Sequence, residues 1–283
     1  MKRIALCIKS DSVEGITAAE KTVELLSEMG CTLYLPFRDK QYIGERWGVV
    51  YKSECDYMSD AECVIVFGGD GTIMRTAHTT ALPILGINLG RIGYIAELEV
   101  YELDLLKELV NDNFVIDNRM RLSYTVEKNG VTVYNDSSVV NDIVLSKGGY
   151  SVMPEIELVC NGETVGKYFA DGLICASPTG STAYSLAAGG SIVDTCMECF
   201  CITQICPQSF YAKPLIFSGS SVLEFSKGKR GHGKLQLIKD GEYVAEIEEG
   251  DKVTVRKSPS DMKLIRIKKN NFYSVMRSKM TEI

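Results

Sequence analysis

Five consecutive residues, Gly68-Gly69-Asp70-Gly71-Thr72, lie between the apolar run Val64-Ile65-Val66-Phe67 and a stretch with helical spacing. Glycines let a backbone reach positive φ and approach a ligand closely, and successive N–H groups opening a helix form a concavity for anions. Phosphate is the group such a loop would receive. No lysine follows the glycines as in the G-x-x-x-x-G-K-[ST] phosphate loop, and Met74 stands where G-x-G-x-x-G needs its last glycine. The hydride-transfer dinucleotide fingerprint is thereby excluded. Asp70 sets a carboxylate among phosphate-binding amides, where like charges repel. Its presence makes sense if it takes, or orients, the proton of an attacking hydroxyl during phosphoryl transfer.

Other segments carry polar groups in unexpected places. In Val139-Val140-Asn141-Asp142-Ile143-Val144-Leu145, two polar residues interrupt an apolar strand, and burying them is costly unless their hydrogen bonds are made. Either the strand bends there or the pair holds a ligand. From Asp171 a strand runs into Pro178-Thr179-Gly180 and then a helix over Gly180 to Ala188, with Ser181 or Thr182 as N-cap and Gly189-Gly190 as stop. Hydroxyls and free backbone donors in that first turn suit polar ligand groups. Cys196, Cys199, Cys201 and Cys206 approach the spacing of zinc or iron–sulfur sites, but the interleaved Phe200, Ile202 and Ile205 read as strand packing, so reduced core thiols are expected. His78 and His232 have no Cys or Asp at ligand spacing and are assigned ordinary helix-face or loop roles.

These residues need elements to place them. Ile4 to Ile8, Cys31 to Leu35, Cys63 to Phe67 and Pro83 to Ile87 read as strands buried on both faces, with helices over Gly15 to Met29 and after Thr72 to about Thr80. Such alternation predicts a Rossmann-like α/β domain over residues 1–118, with ligands at the carboxyl ends of its strands. Near Arg119 the pattern changes to apolar alternation broken by the hairpin signals Asn129-Gly130, Asn161-Gly162 and Asp240-Gly241. A β-rich, sandwich-like domain is expected over 119–283, its last residues packing back on the first domain. Arg38 to Glu62 is too poorly patterned to assign.

The 283 residues are 45% hydrophobic and 24% charged, which excludes disorder and fits about two packed domains. A net charge of −6 repels nucleic acid and anionic membranes, so neither is an expected partner and an anionic ligand must be met by local geometry. Residues 251–280 nonetheless hold nine Lys or Arg against two Asp, read as a solvated basic edge or a contribution to an anion site. Ten scattered cysteines, an opening apolar run too short for a signal peptide and the lack of a ~20-residue apolar stretch predict a cytoplasmic protein.

Taken in order, Gly68-Gly69-Asp70-Gly71-Thr72, Asn88-Leu89-Gly90 with Gly93-Tyr94, Asn141-Asp142, and Asp171-Gly172 through Pro178-Thr179-Gly180-Ser181-Thr182-Ala183-Tyr184 resemble the NAD kinase family, over roughly residues 1 to 280. The glycine loop alone also resembles phosphofructokinases and diacylglycerol or sphingosine kinases, whereas the Pro-Thr-Gly-Ser-Thr-Ala-Tyr stretch is specific. The resemblance implies transfer of the terminal phosphoryl of ATP to the 2′-hydroxyl of the adenosine ribose of NAD, giving NADP, with a divalent metal. Mg²⁺ is expected to arrive with the triphosphate, without a dedicated protein metal site. The resemblance further implies that Asp70 is the proton acceptor, that Gly68, Gly69, Gly71 and Thr72 serve phosphate binding, and that Arg75 faces the nucleotide phosphates. Asn141, Asp142, Asp171, Thr179, Ser181, Thr182, Ala183 and Tyr184 are the implied NAD-binding residues. An α/β domain followed by a β-sandwich-like domain, and a homodimer or homotetramer, are implied as well. Many relatives carry Glu after the motif Asn; Asp142 is one methylene shorter with the same charge. A lipid or sugar kinase sharing the glycine loop is the alternative, against which Thr182-Ala183-Tyr184 argues. A non-catalytic nucleotide sensor is a third reading, and it has no need for Asp70.

Overall fold

Unbroken apolar runs in the first third of the chain become strands of a parallel sheet covered on both faces. The computed structural model describes residues 1–90, 93–149, 152–230, 233–268 and 272–281, so His232 lies outside the described residues. In chain order the elements are β1 (Arg3–Ile8), α1 (Val13–Glu28), β2 (Thr32–Pro36), α2 (Lys40–Ile43), β3 (Val49–Lys52), β4 (Cys63–Phe67), α3 (Asp70–Thr79), β5 (Ile84–Asn88), β6 (Leu98–Glu99), α4 (Leu106–Val110) and β7 (Val115–Arg119). Every residue of β4 and β5 is buried, as a strand between two helical layers requires. Ser12 starts α1 by accepting the Gly15 N–H at 3.2 Å, and Gly30 at φ 76° follows its end. The helix buries Ala18, Ala19, Val23 and Leu26 in one core with Ile4, Leu6, Ile65 and Phe67. The strand β3 falls within the stretch Arg38 to Glu62, where half-exposed Val49-Val50-Tyr51-Lys52 gave no periodic signal.

From Arg119 the pairing turns antiparallel. The strands are β8 (Leu122–Lys128), β9 (Val131–Val139), β10 (Asp142–Lys147), β11 (Glu155–Cys160), β12 (Glu163–Phe169) and β13 (Gly172–Ala176), then, after the short α5 (Tyr184–Ala187), β14 (Cys199–Ile205), β15 (Leu215–Ser218), β16 (Leu223–Lys227), β17 (Leu235–Lys239), β18 (Glu242–Ile247) and β19 (Lys252–Lys257). They form two six-stranded sheets, ordered β15-β14-β13-β10-β17-β18 and β12-β11-β16-β19-β8-β9. Alternate residues of both sheets, among them Leu145, Phe200 and Leu237 from one and Val126, Phe225 and Val255 from the other, share a single core, which makes this a sandwich. All three hairpin dipeptides hold both residues at positive φ, as tight hairpin turns between twisted strands demand.

The chain then returns. Strand β20 (Met262–Arg266) pairs in parallel with β5, and α6 (Phe272–Thr281) follows. The first sheet accordingly runs β3-β2-β1-β4-β5-β20-β7, with β6 on β5. One compact unit comprises Met1–Asn118 with Met262–Ile283, and the other Arg119–Asp261. Four cations of the basic stretch 251–280 have acidic partners. Lys252 approaches Glu127 and Glu224, Lys257 pairs with Glu198, and Arg266 and Lys268 pair with Glu97 and Glu102. Lys252 and Lys257 remain partly exposed in these pairs, as a solvated edge requires, while Arg266 and Lys268 are more enclosed.

Candidate active site

In the first unit the candidate residues stand at the carboxyl ends of β4 and β5, the edge where open α/β sheets receive ligands. The Gly68 N–H donates to the Ile87 carbonyl at 2.9 Å, tying the loop to β5. A Cβ on Gly68 would come within 2.6 Å of the Thr72 side chain, whereas one on Gly69 would meet nothing within 4 Å. None of Gly68, Gly69 and Gly71 adopts positive φ. Their use is therefore close packing and close approach, not the handedness expected from sequence. Helix α3 opens on Gly69 without a capping side chain, which leaves first-turn donors available to an anion. Arg75, one turn along and exposed, donates from Nη2 to Thr72 Oγ1 at 3.3 Å.

Asp70 is the first residue of α3 and half-buried. Its Oδ2 accepts the Tyr94 N–H at 2.7 Å and its Oδ1 the Ile95 N–H at 3.1 Å. A Cβ on Gly93 would lie 2.0 Å from Oδ1, so only glycine lets the carboxylate seat on this segment. Buried Asn88 braces the neighbouring strand ends, donating to the Gly90 carbonyl at 3.0 Å and to the Glu99 carboxylate at 3.0 and 3.1 Å.

In the second unit the polar pair marks a break between strands: β9 ends at Val139 and β10 begins at Asp142. The break is held by Asp240, whose carboxylate accepts the N–H groups of Val140, Asn141 and Asp142 at 2.8, 2.7 and 3.1 Å. The Asp240 N–H in turn donates to the Asp142 carbonyl at 3.0 Å. Burial, reinforced by the Asp240 carboxylate, pushes the Asp142 carboxyl up to about 7. Asp142 lies opposite Ala176, the last residue of β13, so the pairing of β10 with β13 brings the Ser177 turn to Asn141. Ser177 donates its N–H to the Asn141 carbonyl at 2.8 Å and its hydroxyl to the Val140 carbonyl at 2.6 Å, while accepting the Gly180 N–H at 3.1 Å. A Cβ on Gly180 would sit 2.0 Å from the Asn141 carbonyl oxygen.

The continuous helix expected over 180 to 188 is broken. A 3₁₀ turn over Gly180–Thr182 and α5 are separated by Ala183 at φ −99°, ψ −128°, outside the helical region, and neither Ser181 nor Thr182 is an N-cap. Ser181 is wholly buried and its hydroxyl bonds Pro178 and Val193, and buried Thr179 accepts the Thr182 hydroxyl on its carbonyl at 3.2 Å. Both lie behind the partly exposed Thr182, Ala183 and Tyr184. Asp171 is not brought to this cluster. It precedes the opposite end of β13, roughly 20 Å of strand away at about 3.4 Å per residue, and pairs with Lys147 at 2.8 Å. Cys199 and Cys201 are buried strand thiols, but Cys196 and Cys206 are exposed, so only two of the four are core residues. His78 is half-buried in the last turn of α3. Sequence reasoning missed Asp240, because an Asp-Gly hairpin turn already accounted for it, and Ser177, read only as the end of a strand.

Family comparisons match the ATP-NAD kinase N-terminal domain to residues 4–114 and the ATP-NAD kinase C-terminal domain to residues 140–267. The chain is similar to the NAD kinase of Natranaerobius thermophilus, 36% identical over 282 residues that cover 97% of this chain and 95% of that one. It is 40% identical over 228 residues to the NAD kinase of Desulforamulus reducens, covering 79% and 78%. Yeast NADH kinase complexed with NADH has the same fold, with a TM-score of 0.88 at 23% identity over 99% of this chain and 88% of that one.

Proposed function

The chain belongs to the NAD kinase family and is a phosphotransferase that makes NADP from NAD and ATP, and we propose that Asp70 accepts the proton of the attacking hydroxyl. In this reading the 2′-oxygen of the adenosine ribose attacks the terminal phosphorus of ATP. The new O–P bond forms as the bond from that phosphorus to the bridging oxygen breaks, ADP leaves, and the hydroxyl proton passes to the Asp70 carboxylate. The observation carrying it is a carboxylate aimed by two backbone N–H groups at the mouth of an uncapped, glycine-lined helix N-terminus. The amides of Gly68 to Thr72 and the Arg75 guanidinium receive the phosphates. Asn141, Asp142, Thr182, Ala183 and Tyr184 contact NAD, with Thr179 and Ser181 supporting their turn, and Asp171 contributes from the other end of β13.

Among the described residues no group of three or more His, Cys, Asp or Glu could hold a metal ion. The glycine loop offers a single carboxylate, Asp70, a donor set that fits Mg²⁺ entering as part of the Mg–ATP substrate and neutralising phosphate charge. A cytoplasmic homodimer or homotetramer completes the reading, supported by ten free cysteines and by the family resemblance. Mass spectrometry of NAD incubated with the protein, ATP and Mg²⁺ tests the activity. The expected product is heavier by one phosphoryl group, located on the adenosine ribose; unmodified NAD overturns it.

A further inference from the structure

We propose that Arg266 is a positioning residue for Asp70, acting through the backbone segment Gly93 to Glu97. The inference rests on Asp70 being the proton acceptor. Arg266 ends β20, the strand that returns to the first unit, and its side chain is only 14% exposed. Its Nη1 donates to the Ile95 carbonyl at 2.9 Å and to Glu97 Oε2 at 3.1 Å, and its Nε donates to Asp117 Oδ2 at 3.1 Å. Ile95 is the residue whose N–H reaches Asp70 Oδ1. One residue thus carries the guanidinium on its carbonyl and the Asp70 carboxylate on its amide.

The tie is doubled from the other side. Glu97 Oε1 accepts the N–H groups of Ile267 and Lys268 at 2.8 and 2.6 Å, and the Glu97 N–H donates to the Gly86 carbonyl at 2.9 Å in β5. The segment that seats Asp70 is therefore fastened both to β5 and to the end of β20. A buried Arg–carboxylate cluster is weak evidence for stability, because desolvation offsets much of the attraction. Its value here is geometric. Gly93 leaves no slack beside Oδ1, so a shift of this segment either strips Asp70 of its two donors or drives it from its seat. Misplacing a reacting group by about 1 Å can cost on the order of 100-fold in rate.

The test is a set of single variants, Arg266→Met, Arg266→Lys, Gly93→Ala and Asp70→Asn, each measured for kcat, both KM values, calorimetric binding of NAD and ATP, and Tm. Arg266→Met is expected to lower kcat by about 10- to 100-fold, with both affinities within about threefold of the parent. Arg266→Lys, which keeps charge but not the three-way fork, should recover part of that kcat. Gly93→Ala displaces the Asp70 carboxylate without touching Arg266, and should show the same loss of kcat per folded molecule, with the clash also lowering Tm. A structural role alone would lower Tm and leave kcat per folded molecule unchanged, which overturns the proposal. If Arg266→Met does not fold, parental kcat in Arg266→Lys overturns it equally. Near-parental turnover in Asp70→Asn removes the proton acceptor itself. Loss of turnover in Asp70→Asn, with parental kcat in the Arg266 and Gly93 variants, removes only the positioning role.

Discussion

In the parallel-sheet unit, Gly68 to Thr72 run without interruption from β4 into α3, and one strand-to-helix turn delivers loop amides and the Asp70 carboxylate together. In the sandwich, the comparable cluster needs the start of β10, the turn after β13 and Asp240, which reaches across 98 to 100 residues of sequence to three backbone N–H groups. The contrast follows from connectivity. A parallel sheet with helical crossovers places every strand's carboxyl end on one edge, so consecutive residues suffice to build a site. An antiparallel sandwich offers each strand end only a few residues, and a cluster coheres there through long-range hydrogen bonds. Changes in the first unit should therefore alter the chemical step, and changes in the second the affinity for NAD.

The largest expected effect breaks or keeps that division through one side chain. Asp70→Asn preserves shape while removing charge and nearly all basicity, so kcat for NADP formation should fall by at least ~100-fold, with ATP affinity held or improved as repulsion of phosphate is relieved. Turnover within about threefold of the parent would assign the base elsewhere. Next in size, Asp240→Ala leaves three N–H groups of residues 140–142 without their acceptor, and NAD binding should weaken by about 1 to 3 kcal/mol while ATP binding is unchanged. Calorimetry on both ligands decides it; an equal loss for ATP would mean that Asp240 maintains the fold at large. Asn141→Ala should weaken NAD binding on a similar scale, and an unchanged affinity would remove the pair from the site.

The same contrast explains what could be read from sequence. The glycine loop, the buried strands and the three hairpin turns were legible because each rests on neighbours in the chain: an apolar run, a dipeptide at positive φ, a helix after glycines. Asp240 and Arg266 were not legible as site-builders, because their partners lie 98 to 100 and 149 to 171 residues away. Asp240 looked complete as a turn residue, and Arg266 was one cation in a basic stretch. The helix expected over 180 to 188 failed for a related reason. Gly180 packs on the Asn141 carbonyl from the break between β9 and β10, and that contact, together with the buried Ser181, accompanies the departure from helical geometry at Ala183. Asp171 belongs to the same stretch of sequence, but β13 separates it from the residues it was grouped with.

The smallest effect on turnover, none at all, is expected at Asp39, and it sharpens the comparison through a second buried carboxylate. Asp142 in the sandwich is pushed up to about 7 beside Asp240, in a cluster with a proposed ligand. Asp39, in the 3₁₀ turn after β2, is wholly buried; neither carboxylate oxygen has a hydrogen-bond partner, and the Arg38 Nε stands 3.6 Å away. Burial pushes it up to about 6, against the pull of Arg38 and with a further push from Glu54. Because the folded value lies above the ordinary aspartate value of 3.8, Asp39 is least costly below about pH 4, and stability is lost as pH rises from there through about 6 and the buried group ionises. Asp39→Asn cannot ionise. It should match the parent near pH 4 and exceed it at pH 8 by up to about 3 kcal/mol, at ~1.4 kcal/mol per pH unit, with kcat and NAD affinity unchanged. Denaturant unfolding of both proteins from pH 4 to 8 measures the difference. A variant less stable than the parent at pH 8 would mean that ionised Asp39 is held by Arg38 as a favourable pair. The first unit would then resemble the second, where the half-buried Asp240 carboxylate supports structure through three backbone N–H donors of its own.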